Sequence, residues 1–297
     1  MNKKFFVIDG HALVYRSYFA FIKNPRMTSC GLNTSAIYGF TNTIFRILNI
    51  QRPEFLTVVF DTKEPTWRHK NFTDYKATRP KQPDVITLSF PYIKTILKAM
   101  NIKFYEKEGF EADDLAGTIT KAVVKDIDIF LFTQDKDYSQ LVKENVFLFK
   151  QFKDKKYHNL GIAEVLKEYN ISTPDQIRDL LALQGDTADN IPGIPDIGEK
   201  TAKKLIQEYG CIENILQNIN NLTGKIKNNI EKYKDQLLLS KKLVTITTDV
   251  DFGFNLNDCK VVDFNNAELL NIFKQLEFDS FIKKLKLENN TGQLNLF

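Results

Sequence analysis

The sequence predicts an α/β fold with a mostly parallel central sheet flanked by helices. In the first half of the chain, short apolar runs of strand length alternate with longer segments of helical periodicity. Such alternation is the pattern of βαβ units, which build parallel sheets. Several of the apolar runs also end in an acidic residue. Because ligands bind beyond the carboxyl ends of parallel strands, these acids indicate the edge of the sheet that carries a site.

The same pattern places the individual elements. Strands are predicted at residues 5–8, 55–60 and 127–133, and helices at about residues 34–50, 85–100 and 112–125. The acids that follow the three strands are Asp9, Asp61, and the pair Asp135 and Asp137. A sheet that brings these strand ends to one edge therefore gathers four carboxylates there.

After about residue 160 the pattern changes to helices with little strand signal. Helices are predicted at residues 160–169, 174–183 and 200–209, a turn-rich stretch at 186–198, and two short helices within 265–287. The end of the chain, residues 288–297, begins polar and is expected to lack fixed structure. We therefore predict an α/β core over residues 1–160, a helical subdomain over 161–287 and a flexible tail over 288–297.

Composition excludes several kinds of site and of protein. The chain has 297 residues and a formal net charge of +4, which by itself identifies no partner. Cys30, Cys211 and Cys259 are odd in number and far apart, so neither a zinc knuckle nor a disulfide framework is expected. The chain has only three histidines, so neither a His-rich metal site nor a Ser-His-Asp triad is expected. The first apolar run is interrupted by Asp9, and no stretch reaches the length of a membrane helix, so a cytoplasmic protein is expected.

Nine acids suggest a metal site. They are Asp9, Asp61, Glu111, Asp113, Asp114, Asp135, Asp137, Asp186 and Asp189. Taken singly, an acid after a strand is ordinarily a turn former, and one in the first turn of a helix favours the helix dipole. Gathered together, like charges repel unless cations neutralise them. Hard oxygen ligands favour Mg²⁺ or Mn²⁺, and two such ions suit phosphodiester hydrolysis.

Two further segments carry cations. Residues 62–84 form a long polar loop in which Trp67, Arg68, Tyr75, Lys76 and Arg79 interleave aromatic and basic side chains. Such a loop suits single-stranded nucleic acid, although an ordinary solvated loop has a similar composition. The second segment is a glycine-rich turn before a helix start, which suits a phosphate backbone but also describes an ordinary turn between helices. Its candidate contacts are Gly193, Gly198, Lys200, Thr201, Lys203 and Lys204.

Taken in order, these motifs resemble the 5′-nuclease domain of bacterial DNA polymerase I, a group that includes phage 5′-exonucleases and flap endonucleases. The resemblance runs from about Lys4 to Leu287. Its strings are Ile8-Asp9-Gly10-His11, Phe60-Asp61, Tyr75-Lys76-Ala77-Thr78-Arg79-Pro80, Glu111-Ala112-Asp113-Asp114, Thr133-Gln134-Asp135-Lys136-Asp137, and Gly185-Asp186 with Asp189-Asn190-Ile191-Pro192-Gly193. Two positions depart from the usual pattern: Asp196 stands where glycine is frequent, and Ala188 where serine is frequent.

The resemblance implies a PIN-like core, a helical arch over the active site and a helix–three-turn–helix. It implies that Asp9, Asp61, Glu111 and Asp113 surround a first metal ion, and that the other five acids lie nearer a second. It places Tyr75, Lys76 and Arg79 in the arch, with Lys76 near the scissile phosphate, and Arg16 near the 5′ region of the substrate. Two or three Mg²⁺ or Mn²⁺ ions are implied, and K⁺ at residues 186–209.

The function implied is a monomeric, structure-specific 5′-3′ exonuclease and 5′-flap endonuclease that removes RNA primers and serves repair. A nuclease-dead DNA-binding module and a ribonuclease with a related acidic site are the alternatives. The nine acids argue against the first, and the arch and turn motifs argue against the second. The chain could also be an excised piece of a longer polymerase.

The last residues suggest a partner. Gln293, Leu294, Leu296 and Phe297 resemble the bacterial sliding-clamp-binding motif. A tail would present the apolar side chains to a pocket while Gln293 forms hydrogen bonds at its rim. The alternative is a frayed end that happens to be apolar. A motif in this terminal position also leads us to expect a complete chain with no polymerase following.

Overall fold

The structure is a computed structural model that describes residues 2–152 and 156–291, with side chains through Leu285. Within that part of the chain, six strands form one sheet in the order β3-β2-β1-β4-β5-β6. The strands are β1 (Lys3–Asp9), β2 (Phe55–Phe60), β3 (Phe104–Glu106), β4 (Ile127–Phe132), β5 (Val146–Gln151) and β6 (Tyr157–Leu160). All neighbours pair parallel except β5 and β6, which are antiparallel. The predicted α/β class and its mostly parallel sheet are confirmed.

Helices connect and follow the strands. They are α1 (Gly10–Ala20), α2 (Ser35–Arg46), α3 (Trp67–Asn71), α4 (Asp84–Ala99), α5 (Ala112–Ala122), α6 (Ile162–Tyr169), α7 (Gln176–Gln184), α8 (Glu199–Tyr209), α9 (Ile212–Gln217), α10 (Gly224–Lys232), α11 (Lys234–Val244), α12 (Asn266–Gln275) and α13 (Asp279–Thr291). Sequence periodicity missed α1, α9, α10 and α11. The loop expected to be a helical arch, residues 62–84, is helical mainly at α3.

The central strand β1 is apolar and buried on both faces, as helix-covered parallel sheets require. Phe6 and Ile8 face one apolar cluster, whereas Phe5 and Val7 face the other. The three predicted strands are confirmed. The sequence pattern missed β3, which has three residues, and β5. It also missed the edge strand β6, whose middle residues His158 and Asn159 are polar and exposed.

The predicted boundary at residue 160 does not separate two cores. One cluster joins the β1 side chains Phe5 and Val7 to helices on both sides of that boundary. The other includes Phe273 and Phe281 of α12 and α13, which pack on Phe45 of α2. We therefore correct the prediction that residues up to 287 belong to the helical DNA-binding subdomain, because α12 and α13 cover the α/β core.

The helix α13 continues to Thr291. It thus covers the first residues of the tail predicted over 288–297. The clamp-like residues Gln293, Leu294, Leu296 and Phe297 lie outside the described residues. No helix in the described part of the chain has both the length and the apolar composition of a membrane span.

Candidate active site

The sheet order changes direction at β1, so the crevice between β1 and β4 is the expected binding position. Asp9 ends β1 there. One of its carboxylate oxygens accepts a hydrogen bond from Ala12 N at 2.9 Å, and the other accepts one from Thr133 Oγ at 2.9 Å. Asp9 is 8% exposed, and burial together with the charges of Asp61 and Asp135 raises its pKa to about 7.

Asp61 follows β2 on the next strand. Its Oδ1 accepts a hydrogen bond from Ala112 N at 2.7 Å, at the start of α5. Its backbone N–H donates to His11 Nδ1 at 3.2 Å, so this ring nitrogen carries no proton. Burial lowers the pKa of His11, which agrees with a neutral ring. His11 therefore acts as a positioning group for Asp61, a role that the sequence did not reveal.

The start of α5 supplies Glu111 and Asp113. Glu111 is 5% exposed, and its two oxygens accept hydrogen bonds from Arg68, Tyr75 and Lys76. Asp113 Oδ1 is buried, and no described residue donates a hydrogen bond to it. Burial raises the pKa of Asp113 well above its usual range, with the charges of Asp114 and Glu111 adding to the effect. A buried carboxylate oxygen without a donor is a position that a cation would satisfy.

Asp114 and Arg68 form a structural pair, which corrects two predictions. Asp114 is fully buried, and its oxygens accept two hydrogen bonds of 2.8 Å from the guanidinium of Arg68. The N–H of Thr247 donates to the same carboxylate at 2.8 Å. Arg68 is 2% exposed and also donates to the carbonyl of Leu243. Asp114 thus has no free oxygen for a metal ion, and Arg68 is not accessible to DNA.

The basic loop lies against the acids rather than in solvent. The Tyr75 hydroxyl lies 2.9 Å from both Glu111 Oε2 and Asp189 Oδ2. Lys76 Nζ donates to Glu111 Oε1 at 2.7 Å, and the guanidinium of Arg79 binds Asp189 Oδ1. Tyr75 is 3% exposed, so in this arrangement it holds carboxylates and does not offer its ring to DNA. Lys76 and Arg79 keep part of their surface exposed.

The second group of acids lies beyond β4 and α7. Of the described residues, Asp137, Asp186 and Asp189 can bring one oxygen each within 4.8 Å of one another. Asp137 Oδ1 is buried without a hydrogen bond from the described residues. Burial and the charge of Asp135 raise the pKa of Asp137 to about 7. Asp135 lies beside this group, where its Oδ1 accepts a hydrogen bond from the N–H of Asp137.

Two glycines set the position of Asp186. The backbone N–H and C=O of Asp186 pair with Ile191 at 2.9 and 2.8 Å. Gly185 has φ +82°, and a Cβ on Gly193 would lie 2.3 Å from the backbone of Gln184. Gly193 therefore permits a close backbone approach that fixes the acid-bearing turn. This is a structural role, whereas the sequence predicted that Gly193 contacts DNA.

The remaining predicted DNA contacts lie in two places. Lys200 and Lys204 are exposed on α8, Gly198 caps its start, and Thr201 is half-buried. Lys203 donates to Glu199 at 2.7 Å within the same helix. Arg16 lies apart from them, with its guanidinium over the rings of Phe132 and Tyr157.

A cavity of about 830 Å³ connects the first acids with the basic loop. Its walls include Asp9, Asp61, Glu111, Asp113 and Asp135, with Lys76 and Arg79 at its side. Asp113 Oδ1 and Asp137 Oδ1 accept no hydrogen bond from the described residues, although Arg68 lies 3.9 Å from the first and Lys136 lies 3.6 Å from the second. The pKa values of Asp9, Asp113 and Asp137 remain raised, so these neighbouring cations compensate the carboxylates only in part. Oxygen donors of this kind fit Mg²⁺ or Mn²⁺.

The raised pKa values predict how metal binding depends on pH. Folded Asp9 and Asp137 titrate near 7, above their value of 3.8 in an unfolded chain. The folded state therefore binds more protons between those values, and the metal-free protein loses stability as pH rises through that window. A divalent cation binds the ionised acids. We expect Mg²⁺ to raise the melting temperature more at pH 8 than at pH 5.5. An equal rise at both pH values would contradict the assignment of Asp9 and Asp137 as metal ligands.

Comparisons with known proteins agree with this geometry. Residues 4–170 match the family model of the 5′-3′ exonuclease N-terminal resolvase-like domain, and residues 172–267 match that of the 5′-3′ exonuclease C-terminal SAM fold. A 5′-3′ exonuclease of Aquifex aeolicus is 37% identical, over 99% of this chain and 100% of its own length. DNA polymerase I of Bacillus subtilis is 36% identical over 96% of this chain, which spans 32% of the polymerase.

The fold comparison points the same way. A bacteriophage T5 flap endonuclease, solved in a pseudo-enzyme–product complex with DNA and metal ions, matches with a TM-score of 0.66 at 21% identity, over 93% of this chain and 100% of that one. At this identity the likeness supports the fold alone. Both halves of the chain match one family, and a relative of the same length is closely similar throughout. The chain belongs to the 5′-3′ exonuclease family.

Proposed function

We propose that the chain is a metal-dependent, structure-specific nuclease that hydrolyses DNA phosphodiesters at 5′ ends and 5′ flaps. RNA-primer removal during replication and DNA repair, in the bacterial cytoplasm, are the processes that such an activity would serve. The observation that carries the proposal is the gathering of undercompensated carboxylates at the switch point of the sheet, beside a cationic loop.

The residues divide into metal holders and phosphate binders. Asp9, Asp61, Glu111 and Asp113 would hold one divalent ion, and Asp135, Asp137, Asp186 and Asp189 would hold a second or third. When bound, such ions activate water and stabilise the leaving oxygen. Hydrogen bonds from Thr133 and from the N–H of Ala112 hold the carboxylates of Asp9 and Asp61 in position. Lys76 and Arg79 would bind the scissile phosphate and offset the charge that develops on it.

The exposed lysines of α8 would bind the duplex backbone without reading sequence. Asp196, close before them in the turn, has φ +64° and accepts a hydrogen bond from Asn229 at 3.2 Å, so the aspartate is accommodated but leaves a negative charge near Lys200. A K⁺ ion at this turn is part of the proposal. The carbonyls of Pro192, Gly193 and Pro195 each accept a side-chain hydrogen bond, and a carbonyl has a second lone pair for a cation.

Digestion of a 5′-labelled flap duplex tests the proposal. With Mg²⁺ we expect short labelled products from the 5′ end and from the flap base, and none with a chelator. A DNA-binding module would bind the duplex without cutting it. A ribonuclease would cut only a matched RNA flap. Either result would overturn the proposed activity.

Lys76→Ala is expected to slow cleavage by about 10²-fold while duplex binding changes little, because Lys76 lies at the acids rather than on α8. Lys200→Ala is the matched control. It should weaken binding to all duplex sequences and lower the salt slope by about one unit, with the rate at saturation unchanged. Single-turnover rates and salt-dependent binding separate the two variants. Equal losses of rate and binding in Lys76→Ala would indicate simple anchoring.

The tail residues 293–297 support a second proposal, binding to a sliding clamp. The carrying observation is the pattern of Gln293, Leu294, Leu296 and Phe297. A peptide of this length should bind at about micromolar affinity. We propose that the isolated enzyme is a monomer. Deleting residues 293–297 should leave its cleavage activity unchanged and remove clamp binding in a surface-binding assay. Undiminished clamp binding by the shortened chain would refute this proposal.

A further inference from the structure

A lysine occupies the second group of acids. Lys136 Nζ donates to Asp186 Oδ2 at 2.6 Å and lies 3.6 Å from Asp137 Oδ1. These two carboxylates, with Asp189, are the described acids whose oxygens converge closely enough to share one cation. The ammonium thus lies beside the oxygens that would bind the second metal ion.

The acids are fixed, whereas the lysine is free to leave. Asp186 is 4% exposed, and its turn is locked by the paired hydrogen bonds to Ile191. Its other oxygen, Oδ1, accepts a hydrogen bond from Ala188 N at 3.0 Å. The side chain of Lys136 is 43% exposed, and its ammonium lies at the end of a flexible aliphatic chain. Rotation about its side-chain bonds would carry the ammonium into solvent without disturbing the backbone.

The cations on the other side of the group are held differently. Lys76 is 20% exposed, and its backbone N–H donates to the carbonyl of Asp189 at 2.9 Å. Arg79 binds Asp189 with its guanidinium and the carbonyl of Ala188 with its Nε. Among the described residues, neither forms an ion pair or hydrogen bond with Asp137 or Asp186. Lys150 lies nearby, but its described hydrogen bond is to the carbonyl of Asp135 at 3.4 Å. Of the described cations, Lys136 is thus the one that pairs with both Asp137 and Asp186.

We propose that Lys136 is a built-in counter-cation of the second metal site, which neutralises Asp137 and Asp186 in the metal-free protein and must move away before a divalent ion binds them. The inference rests on the proposed function, because it takes these acids as metal ligands. Its consequence is that Lys136 weakens metal binding at this site and so raises the metal concentration at which the site fills.

Direct Mn²⁺ binding to the full chain tests the proposal without any cleavage assay. Free Mn²⁺ is counted by electron paramagnetic resonance while the protein is titrated. Lys136→Met, which keeps an unbranched side chain one atom shorter but removes the charge, is expected to tighten the weaker class of sites about tenfold. Lys136→Arg should remain close to the wild type. Lys125→Met is the control for net charge, since Lys125 pairs with Glu144 at 3.7 Å in an exposed position, and it should change nothing.

A second background separates this inference from the proposed function. Asp186→Asn should remove the weaker class of Mn²⁺ sites. The double variant Asp186→Asn with Lys136→Met should bind Mn²⁺ no more tightly than Asp186→Asn alone. If Asp186→Asn leaves Mn²⁺ binding intact, the assignment of the metal site fails. If the site is lost in Asp186→Asn but Lys136→Met does not tighten binding in the wild-type background, the proposed competition fails. Tightening that persists in the Asp186→Asn background would show a long-range charge effect and also overturn it.

Discussion

Asp113→Asn is expected to reduce Mg²⁺-dependent cleavage beyond about 10³-fold, because it removes a charged metal ligand at the centre of the site. Asp113 Oδ1 is buried without a hydrogen bond, and burial raises the pKa of its carboxyl well above the usual range. A neutral amide of the same shape removes that buried charge, which Arg68 at 3.9 Å compensates only in part. The metal-free variant should therefore melt at the same temperature as the wild type or higher.

Single-turnover cleavage and thermal melting check both parts of this expectation. Glu108→Gln is the control, since it removes one carboxylate charge from an exposed position outside the acid groups. We expect it to cleave at the wild-type rate. Near-normal cleavage by Asp113→Asn would remove Asp113 from the metal site, and a large fall in its melting temperature would mean that the carboxylate stabilises the fold.

Arg68→Met is expected to lower the free energy of unfolding by about 3–5 kcal/mol, since it leaves a buried carboxylate without its partner. Asp114 is fully buried and keeps three backbone or side-chain donors, but none carries a charge once the guanidinium is lost. Arg68 also joins the loop to the carbonyls of Leu243 and Thr245. Arg68 also donates to Glu111, the carboxylate that holds Lys76, so its loss is expected to disturb the site as well as the fold.

Urea unfolding monitored by circular dichroism measures the loss. Lys125→Met, at an exposed ion pair, should leave the midpoint unchanged. Arg68→Lys keeps the charge but loses the paired hydrogen bonds, so an intermediate loss is expected. A change in Arg68→Met no larger than in Lys125→Met would contradict the structural role and reopen the prediction that Arg68 contacts DNA.

The parts of the site that sequence patterns predict are those set by strand ends. Asp9, Asp61 and Asp135 follow apolar runs, and parallel strands must bring such ends to one edge. Asp186 and Asp189 belong to the same nine acids, but no strand end places them, because only tertiary folding brings their turn to the sheet.

Other features depend on contacts that no local pattern records. The sequence predicts that Asp114 is a metal ligand beside Asp113, yet α5 directs its side chain into the core toward Arg68. Helices α12 and α13 have ordinary amphipathic patterns, and only the packing of their phenylalanines on α2 assigns them to the core. Lys136 lies between two acids in sequence, but its contact with Asp186 is what gives it a role.

Anomalous scattering from Mn²⁺-soaked crystals of this chain would test most directly whether the gathered carboxylates form a metal centre. We expect one peak within coordination distance of Asp9, Asp61 or Asp113, and a second among Asp137, Asp186 and Asp189, with the Lys136 ammonium displaced from Asp186. Crystals of Asp113→Asn should lose the first peak. Well-ordered crystals soaked at millimolar Mn²⁺ that show no peak at either group would contradict the assignment of this site as the centre of a metal-dependent nuclease.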